Sequence, residues 1–347
     1  MCPGARGPTG REPAAPTAGF PGFRDAVMTK SGGSGSATGG AGPRVDNVGR
    51  GIALTVIAIL IFGTQDAVAK ILVQDYSPFQ ITMMRYWAFG LFALFLVSRQ
   101  APLRRAFASK APGIQVARAL LLVGDLWLFA IANQVVPLAE LQAISLVYPL
   151  VVTICAIPIL GEKVGLFRFV AVGVGFLGAM IIVRPGGLPL DWGTLSAIAS
   201  ATFYALYICF TRKVAHRDST ATSMAYVGVI GLVLTSAVGV FFWQDMDLQG
   251  WLLTGYVMIT SCVAHWLIVV ALGHAPASAV QPFNYTALPW GIVLSYLVFG
   301  HLIDAISLIG AVIIVGAGLV VMARERARIR TDRAARPSRA EEEAPPH

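Results

Sequence analysis

Charge is what this chain has least of. Asp, Glu, Lys and Arg make up 13% of its 347 residues, about half the share found in an average soluble domain. That scarcity excludes the string of soluble domains that such a length would otherwise suggest. Cysteine is scarce as well. The four, Cys2, Cys155, Cys209 and Cys262, have no metal or redox spacing, and the last three lie in apolar runs. They read as small buried hydrophobes, with no disulfide framework and no metal site expected. The motifs of soluble chemistry are missing too: there is no G-x-x-x-x-G-K-[ST] phosphate loop, no H-E-x-x-H and no G-x-S-x-G. These absences exclude ATP hydrolysis through that loop and the common zinc-protease and serine-hydrolase chemistries, and no cofactor is expected. A TVGYG-like potassium filter is absent as well.

What fills the sequence is apolar. Hydrophobic residues make up 56% and 36 glycines add to them, and the mean hydropathy is +0.70. The chain reads as an integral membrane protein whose first partner is the lipid bilayer. Its net charge of +8 does not point to nucleic acid, because no basic stripe interleaves with aromatics. Residues 1–50 and 324–347 carry 13 of the 26 basic and 8 of the 18 acidic side chains.

Residues 1–50, typified by SGGSGSATGGAGP, hold too little apolar surface to fold and read as a disordered cytoplasmic N-tail. No apolar h-region precedes Gly51, so a cleaved secretory signal is not expected, and Met28 is an alternative start. Residues 324–347 read as a basic, solvated cytoplasmic C-tail ending in EEEAPPH. Between the tails, apolar spans recur at 51–72, 78–98, 114–134, 138–160, 165–183, 193–213, 221–243, 250–272, 276–299 and 303–323. Each is close to the ~20 residues that cross about 30 Å of hydrocarbon. Connections of about seven residues leave no room for a catalytic domain outside the membrane.

Basic residues orient the spans. Arg99, Arg104, Arg105, Lys110, Lys163, Arg168, Arg212, Lys213 and Arg217 fall on alternate connections, while the opposite side has only Lys70 and Arg184 among Asp75, Asp191, Asp245 and Asp247. By the positive-inside rule both termini are cytoplasmic, which requires an even number of spans.

The halves repeat. GEKVGLFRFVAVGVGFLGAMII at 161–182 matches GHLIDAISLIGAVIIVGAGLVV at 300–321 with an offset of 139, which brings Gln142 onto Gln281 and Ser145 onto Asn284. Residues 50–70 match 192–212 with an offset of 142. Five spans per half is an odd number, so the second copy must be upside down. The expected fold is all-α: ten transmembrane helices in two inverted five-helix repeats, residues 51–183 and 184–323.

At this point the chain resembles the EamA-type drug/metabolite transporter superfamily over about residues 50–323. The specific elements lie in the fourth span, where Ala139-Glu140, Tyr148-Pro149 and Gly161-Glu162-Lys163 occur together. In the second half His301 stands where the pattern has Glu, and Pro289 is one residue out of register with Pro149. The resemblance implies movement of small metabolites, often outward. It also implies a bacterial cytoplasmic (inner) membrane location and a monomeric or homodimeric carrier.

An ionisable side chain within a span costs at least about 2.5–3.5 kcal/mol on insertion scales and needs a reason. Asp66 and Arg85 lie at matching depths in the first two spans, consistent with a pair that locks two helices or faces a substrate. Asp125, with Trp127 nearby, falls near the midplane. Asp66 and Asp125 are the candidates for carrying a coupling proton. Glu140 is placed at the wetter outer mouth of the fourth span. Pro149 and Pro158 interrupt the fourth span, and Pro282 and Pro289 interrupt its repeat mate, the ninth. Paired interruptions mark transporter sites because freed carbonyls can line a cavity. Around them lie Gln142, Tyr148, Gln281, Asn284 and Tyr285. Tyr204, Tyr207 and Trp266 are candidate pocket walls, and His265 is a candidate relay or a core histidine. Small-residue rows, Ala171-Gly175-Ala179 and Ala197-Ala201-Ala205, suit close helix packing. Glu162 and Lys163 are read as capping a tight connection.

The expected function is secondary transport of a small amphipathic metabolite, such as an amino-acid-like solute, by alternating access, with export as the first direction. Uptake of a cofactor-like solute such as S-adenosylmethionine or riboflavin is the alternative within transport. An intramembrane enzyme acting on lipid-linked substrates would have only Asp125 and His265 to work with. A scaffold or receptor gains nothing from midplane carboxylates.

Overall fold

Backbone polar groups in hydrocarbon must bond within their own segment, so apolar runs of this length fold as helices. In the computed structural model the described residues, 48–100, 102, 106–161, 165–183, 188–215, 217–275 and 280–334, contain helices and no strands. The helices are α1 (Val48–Asp75), α2 (Pro78–Gln100), α3 (Pro112–Val135), α4 (Leu138–Ser145), α5 (Tyr148–Leu160) and α6 (Leu166–Ile182). They continue as α7 (Trp192–Ala215), α8 (Thr220–Gly239), α9 (Leu248–His274), α10 (Ala287–Phe299) and α11 (Ala305–Ala334). Eight segments among the described residues are long and apolar enough to cross a membrane, one of them the run Leu138–Leu160 that contains both α4 and α5. Two further expected spans differ. The helix α6 has 17 residues, and the ninth span is a 3-10 turn, Gln281–Thr286, followed by the 13 residues of α10.

Local chemistry sets the helix starts. Proline opens α2 and lies in the first turn of α3, where a missing N–H costs nothing. Side-chain oxygens of Asp191, Ser219, Asp247 and Asp304 accept the first free N–H groups of α7, α8, α9 and α11. Both tail boundaries shift from expectation. Helix α1 begins at Val48 rather than after residue 50, and α11 runs on to Ala334, well past 324. The stretch ARERARIR is rich in good helix formers, so the helix continues once it has left the apolar run. Residues 1–47 and 335–347 lie outside the described set, as do Arg104, Arg105, Glu162, Lys163, Arg184 and the side chain of Arg168.

Small residues dominate the interior: Ala58, Ala119, Ala132, Ala197, Ala205 and Ala311 are fully buried. Large apolar side chains such as Phe241, Leu166 and Ile259 are exposed, as expected of helices whose outer faces meet lipid. The most extensive packing joins α1 to α9, α3 to α7, α2 to α8 and α6 to α11, and α4 packs on α10. Every one of these pairs links a helix before residue 184 to one after it, so the halves interleave. Two crossings depend on glycine. A Cβ on Gly178 would stand 2.7 Å from the carbonyl oxygen of Gly310, and one on Gly90 would stand 3.1 Å from that of Gly228. Gly178, outside the expected Ala171-Gly175-Ala179 row, is where α6 meets the α11 backbone, while Gly175 of that row packs tightly on Leu150 of α5.

The helices run back and forth between two ends. At the tail end Gly51 meets Ala275, and the Arg324 guanidinium lies over the Phe167 ring. The loop end gathers the turns after α1, α3, α8 and α10. Helices α5 and α10 both have 13 residues, start 139 positions apart and finish at left-handed glycines, Gly161 (φ 70°) and Gly300 (φ 67°). Only glycine adopts that conformation without strain.

Candidate functional site

The polar interior is assembled from six helices. Asp66 on α1 accepts a hydrogen bond from Gln142 Nε2 on α4 at 2.9 Å. Asp125 on α3 accepts one from the Ser200 hydroxyl on α7 at 2.6 Å. Arg85 on α2 donates from Nε to Ser261 Oγ on α9 at 3.2 Å. Between the two carboxylates stands this guanidinium, which interacts electrostatically with both. The arrangement corrects the expected Asp66–Arg85 contact pair: among the described residues the two form no direct salt bridge, and each is anchored by a neutral partner instead. Anchoring an ion by a neutral group leaves part of its hydrogen-bonding capacity for something else.

Proline shapes the neighbouring break. Pro149 has no N–H to reach back to Ser145, and the chain turns at Leu146–Val147 between α4 and α5. This places Gln142 on the last turn of α4, with its side chain against Gly291 of α10. Tyr148, on the first turn of α5, meets Tyr204 edge-to-face at 4.9 Å, and Tyr204 stacks on Tyr207 at 5.9 Å. Tyr86 and Tyr204 interact electrostatically with Asp125, so the tyrosines border the carboxylates. In the second half Asn284 donates to Gln281 Oε1 at 2.9 Å and to the Tyr148 hydroxyl at 3.4 Å. Gln142 and Gln281 therefore belong to different polar groups, and the two glutamines do not bond each other.

Other expectations fall differently. Trp266 is 43% exposed, in line with Leu252, Ile259 and Val263 on the outer face of α9, and does not reach the cluster. The ring of Trp127 packs against Phe79 with centroids 5.6 Å apart, and its buried N–H finds no partner within the protein. The Nδ1 of His265 is bonded to the Ser261 carbonyl at 2.7 Å, and its ring sits between Phe62 and Phe89, which fits the core-histidine reading. Glu140 is only 5% exposed, not open to water as expected; its Oε1 lies 3.0 Å from His301 Nε2. These two residues border a loop-end pocket of about 410 Å³ that also includes Asp191 and Asp304. Tyr285 is buried with its hydroxyl unpaired. Among the described residues, no group of three His, Cys, Asp or Glu could hold a metal ion.

Several contributors were not singled out by sequence. Gln65 is fully buried beside Asp66, and neither polar atom of its side chain has a protein partner; Tyr86 OH is likewise unpaired. Buried polar groups are nearly always paired, so the unpaired Tyr86 hydroxyl, which interacts electrostatically with Asp125, is a natural contact for a polar solute. The Lys70 ammonium bonds the Asn133 and Val136 carbonyls at 2.7 and 2.8 Å, locking α1 to the end of α3. Ser200 and Ser261 look like ordinary small residues in a sequence. Only their placement across the helix interface makes them anchors.

The model of the EamA-like transporter family matches residues 49–184 and 191–323. A riboflavin transporter of Vibrio cholerae is 34% identical over 192 residues, 55% of this chain and 64% of that protein. One of Rhizobium johnstonii is 27% identical, covering 79% of this chain and 91% of the other. An S-adenosylmethionine uptake transporter of Rickettsia bellii is 22% identical, covering 80% and 94%. One solved crystal structure, 18% identical, covers 80% of this chain and 98% of its own with a TM-score of 0.57, a likeness of fold.

Proposed function

The chain belongs to the EamA-like transporter family, and on that premise we propose that it is a secondary carrier taking up a flat, amphipathic, cofactor-like solute across the bacterial inner membrane. It is a membrane transporter and not an enzyme. The carrier crosses the membrane ten times: the eight long segments, the short α6 and the broken segment ending in α10. Its halves, residues 51–183 and 184–323, are inverted copies with both termini cytoplasmic. Two observations support the inversion. The helices pair across the halves, and α5 and α10 share a length, an offset and a left-handed glycine stop.

The observation that carries the substrate reading is the tyrosine shelf beside the Asp66–Arg85–Asp125 cluster. Tyr148, Tyr204 and Tyr207 offer ring faces and edges to an aromatic heterocycle. The carboxylates, Arg85, Gln65 and Gln142 offer hydrogen bonds to its polar arm. The relative from Vibrio cholerae is named a riboflavin transporter, and the one from Rickettsia bellii an S-adenosylmethionine uptake transporter; the second name supports uptake over export. Riboflavin suits a neutral ring with a hydroxylated chain. The second reading, S-adenosylmethionine, is favoured by the two carboxylates, which suit a sulfonium. Transport proceeds by rocking of the interleaved halves around this midplane site.

Asp66 and Asp125 carry the coupling proton, facing Arg85, Tyr86, Tyr204 and Gln142. Trp127, Asn284 and Gln281 flank the route, and Trp266 is left to the lipid face. Labelled riboflavin, S-adenosylmethionine and amino acids offered to proteoliposomes, with and without a pH gradient, test the reading. Saturable riboflavin uptake is expected, faster with the inside alkaline and independent of the gradient in Asp66→Asn or Asp125→Asn. Uptake of amino acids alone, or counterflow only in the outward direction, overturns it.

A further inference from the structure

Each end of the bundle is tied across the halves by a carboxylate in a connection. At the loop end the Tyr76 hydroxyl, after α1, donates to Asp247 Oδ1, before α9, at 2.9 Å. Ser77 N–H reaches Gln244 Oε1 at 3.0 Å, and the Gln80 amide brackets the Gln244 backbone at 2.8 and 2.9 Å. At the tail end Asp218, between α7 and α8, accepts from the Ser109 hydroxyl, from Lys110 N–H at 2.8 Å and from Gln115 Nε2 at 2.9 Å. The first tie joins the connection after α1 to the one after α8. The second joins the connection after α7 to the one after α2.

These ties are two copies of one device. The repeat offset of 142 carries Tyr76 onto Asp218, and the offset of 139 carries Ser109 to within one residue of Asp247. The hydroxyl and the carboxylate have exchanged sides: hydroxyl on the first connection at the loop end, carboxylate on its repeat mate at the tail end. Exchange is what an inverted pair predicts, because each contact between halves has a mirror contact with the halves' roles reversed. In the layer beneath, Ile81 packs with Val257 at the loop end, while at the tail end Arg118 Nη2 donates to the carbonyl of Ser223; the offset of 142 carries 81 onto 223, and the offset of 139 carries 118 onto 257.

We propose that Tyr76–Gln244–Asp247 and Ser109–Gln115–Asp218 are the two gate latches of the carrier, one closing each end, and that transport releases them in alternation. Both ties are made in this structure, one at each end of the bundle. Opening either end requires the helices that the latch joins, α1 and α2 against α8 and α9, or α2 and α3 against α7 and α8, to part at that end only. The proposal rests on the carrier reading above. Its test does not use substrate, so the two can fail separately.

The test measures spin-label distances in the purified full chain, with native cysteines replaced. One pair of labels, on Asp75→Cys and Asp245→Cys, reports the loop end. A second pair, on Ala108→Cys and Arg217→Cys, reports the tail end. With Asp218→Ala the long-distance population at the tail end is expected to rise about tenfold, the effect of losing roughly two net hydrogen bonds, with the loop end unchanged. Asp247→Ala is expected to do the reverse. Asp218→Asn, which keeps one acceptor, gives a smaller shift in the same direction and guards against misfolding by the alanine variant. Unchanged distances in all three variants, or lengthening of both ends together, overturn the proposal. With the latches confirmed and no uptake of any solute tried, the substrate reading alone fails.

Discussion

In the first half the chain turns at Leu146–Val147, and Gln142, in the last helical turn before it, is buried against the Asp66 carboxylate. In the second half the matching turn is a 3-10 segment, and Gln281 is exposed and bonded only to its neighbour Asn284. The helices that follow, α5 and α10, match in length and in their glycine stops at 161 and 300. The side chains do not. One break has been joined to the charged core and the other to a tyrosine hydroxyl. A duplicated scaffold can thus keep the symmetry that rocking requires while a single asymmetric site binds one solute in one orientation.

The largest test of that contrast is Gln142→Ala. A hydrogen bond to a charged group is worth about 1.5–3 kcal/mol, so uptake is expected to fall at least about tenfold. The result to look for is a lower initial rate of riboflavin entry at matched protein density. Next comes His301→Glu, which restores the acid that the first half carries at Glu162. It sets a like charge beside buried Glu140 and removes its partner. With His301 40% exposed the cost is discounted to about 1–2 kcal/mol of stability. Unfolding midpoints in detergent check this, and His301→Gln should lose less.

Gln281→Ala should change uptake less than about twofold, because an exposed amide is solvated either way. A loss equal to that of Gln142→Ala would mean the two breaks are functionally equivalent and would break the comparison. The smallest effect concerns pH. Partial burial opposes ionisation of Asp218, but hydrogen bonds from Ser109, Gln115 and Lys110 N–H outweigh it and hold the carboxyl below its ordinary value. Gly250 N–H and the Tyr76 hydroxyl hold Asp247 down likewise. A lowered carboxyl contributes fully above the ordinary value near 3.9 and is lost as pH falls through the lowered one. Latch distances should therefore not change between about pH 5 and 8. Any pH dependence of uptake in that window therefore does not come from the latch carboxylates.

Much of this was legible in the sequence because lipid leaves so few choices. Apolar runs of about 20 residues must be helices, which is why most of the expected spans coincide with described helices, the ninth and the C-terminal boundary being the departures. Paired prolines and a repeat offset located both breaks. What sequence alone could not resolve was direction around a helix. Trp266 lies next to His265 in the chain, yet one faces lipid and the other the interior. Asp66 and Arg85 sit at matching depths, yet the contacts of Asp66 come from Gln142 and those of Arg85 from Ser261.

The sequence by itself determined the membrane class, the family, the repeat and the positions where helices break, since each follows from periodicity and composition read along one dimension. Only the tertiary structure decided which polar groups meet: Asp125 with Ser200, Asp66 with Gln142, Asp218 with Ser109. Those meetings join residues 75 to 109 positions apart, through helix faces that small residues allow to approach. Such contacts depend on the rotation and depth of two helices at once, which no single stretch of sequence contains.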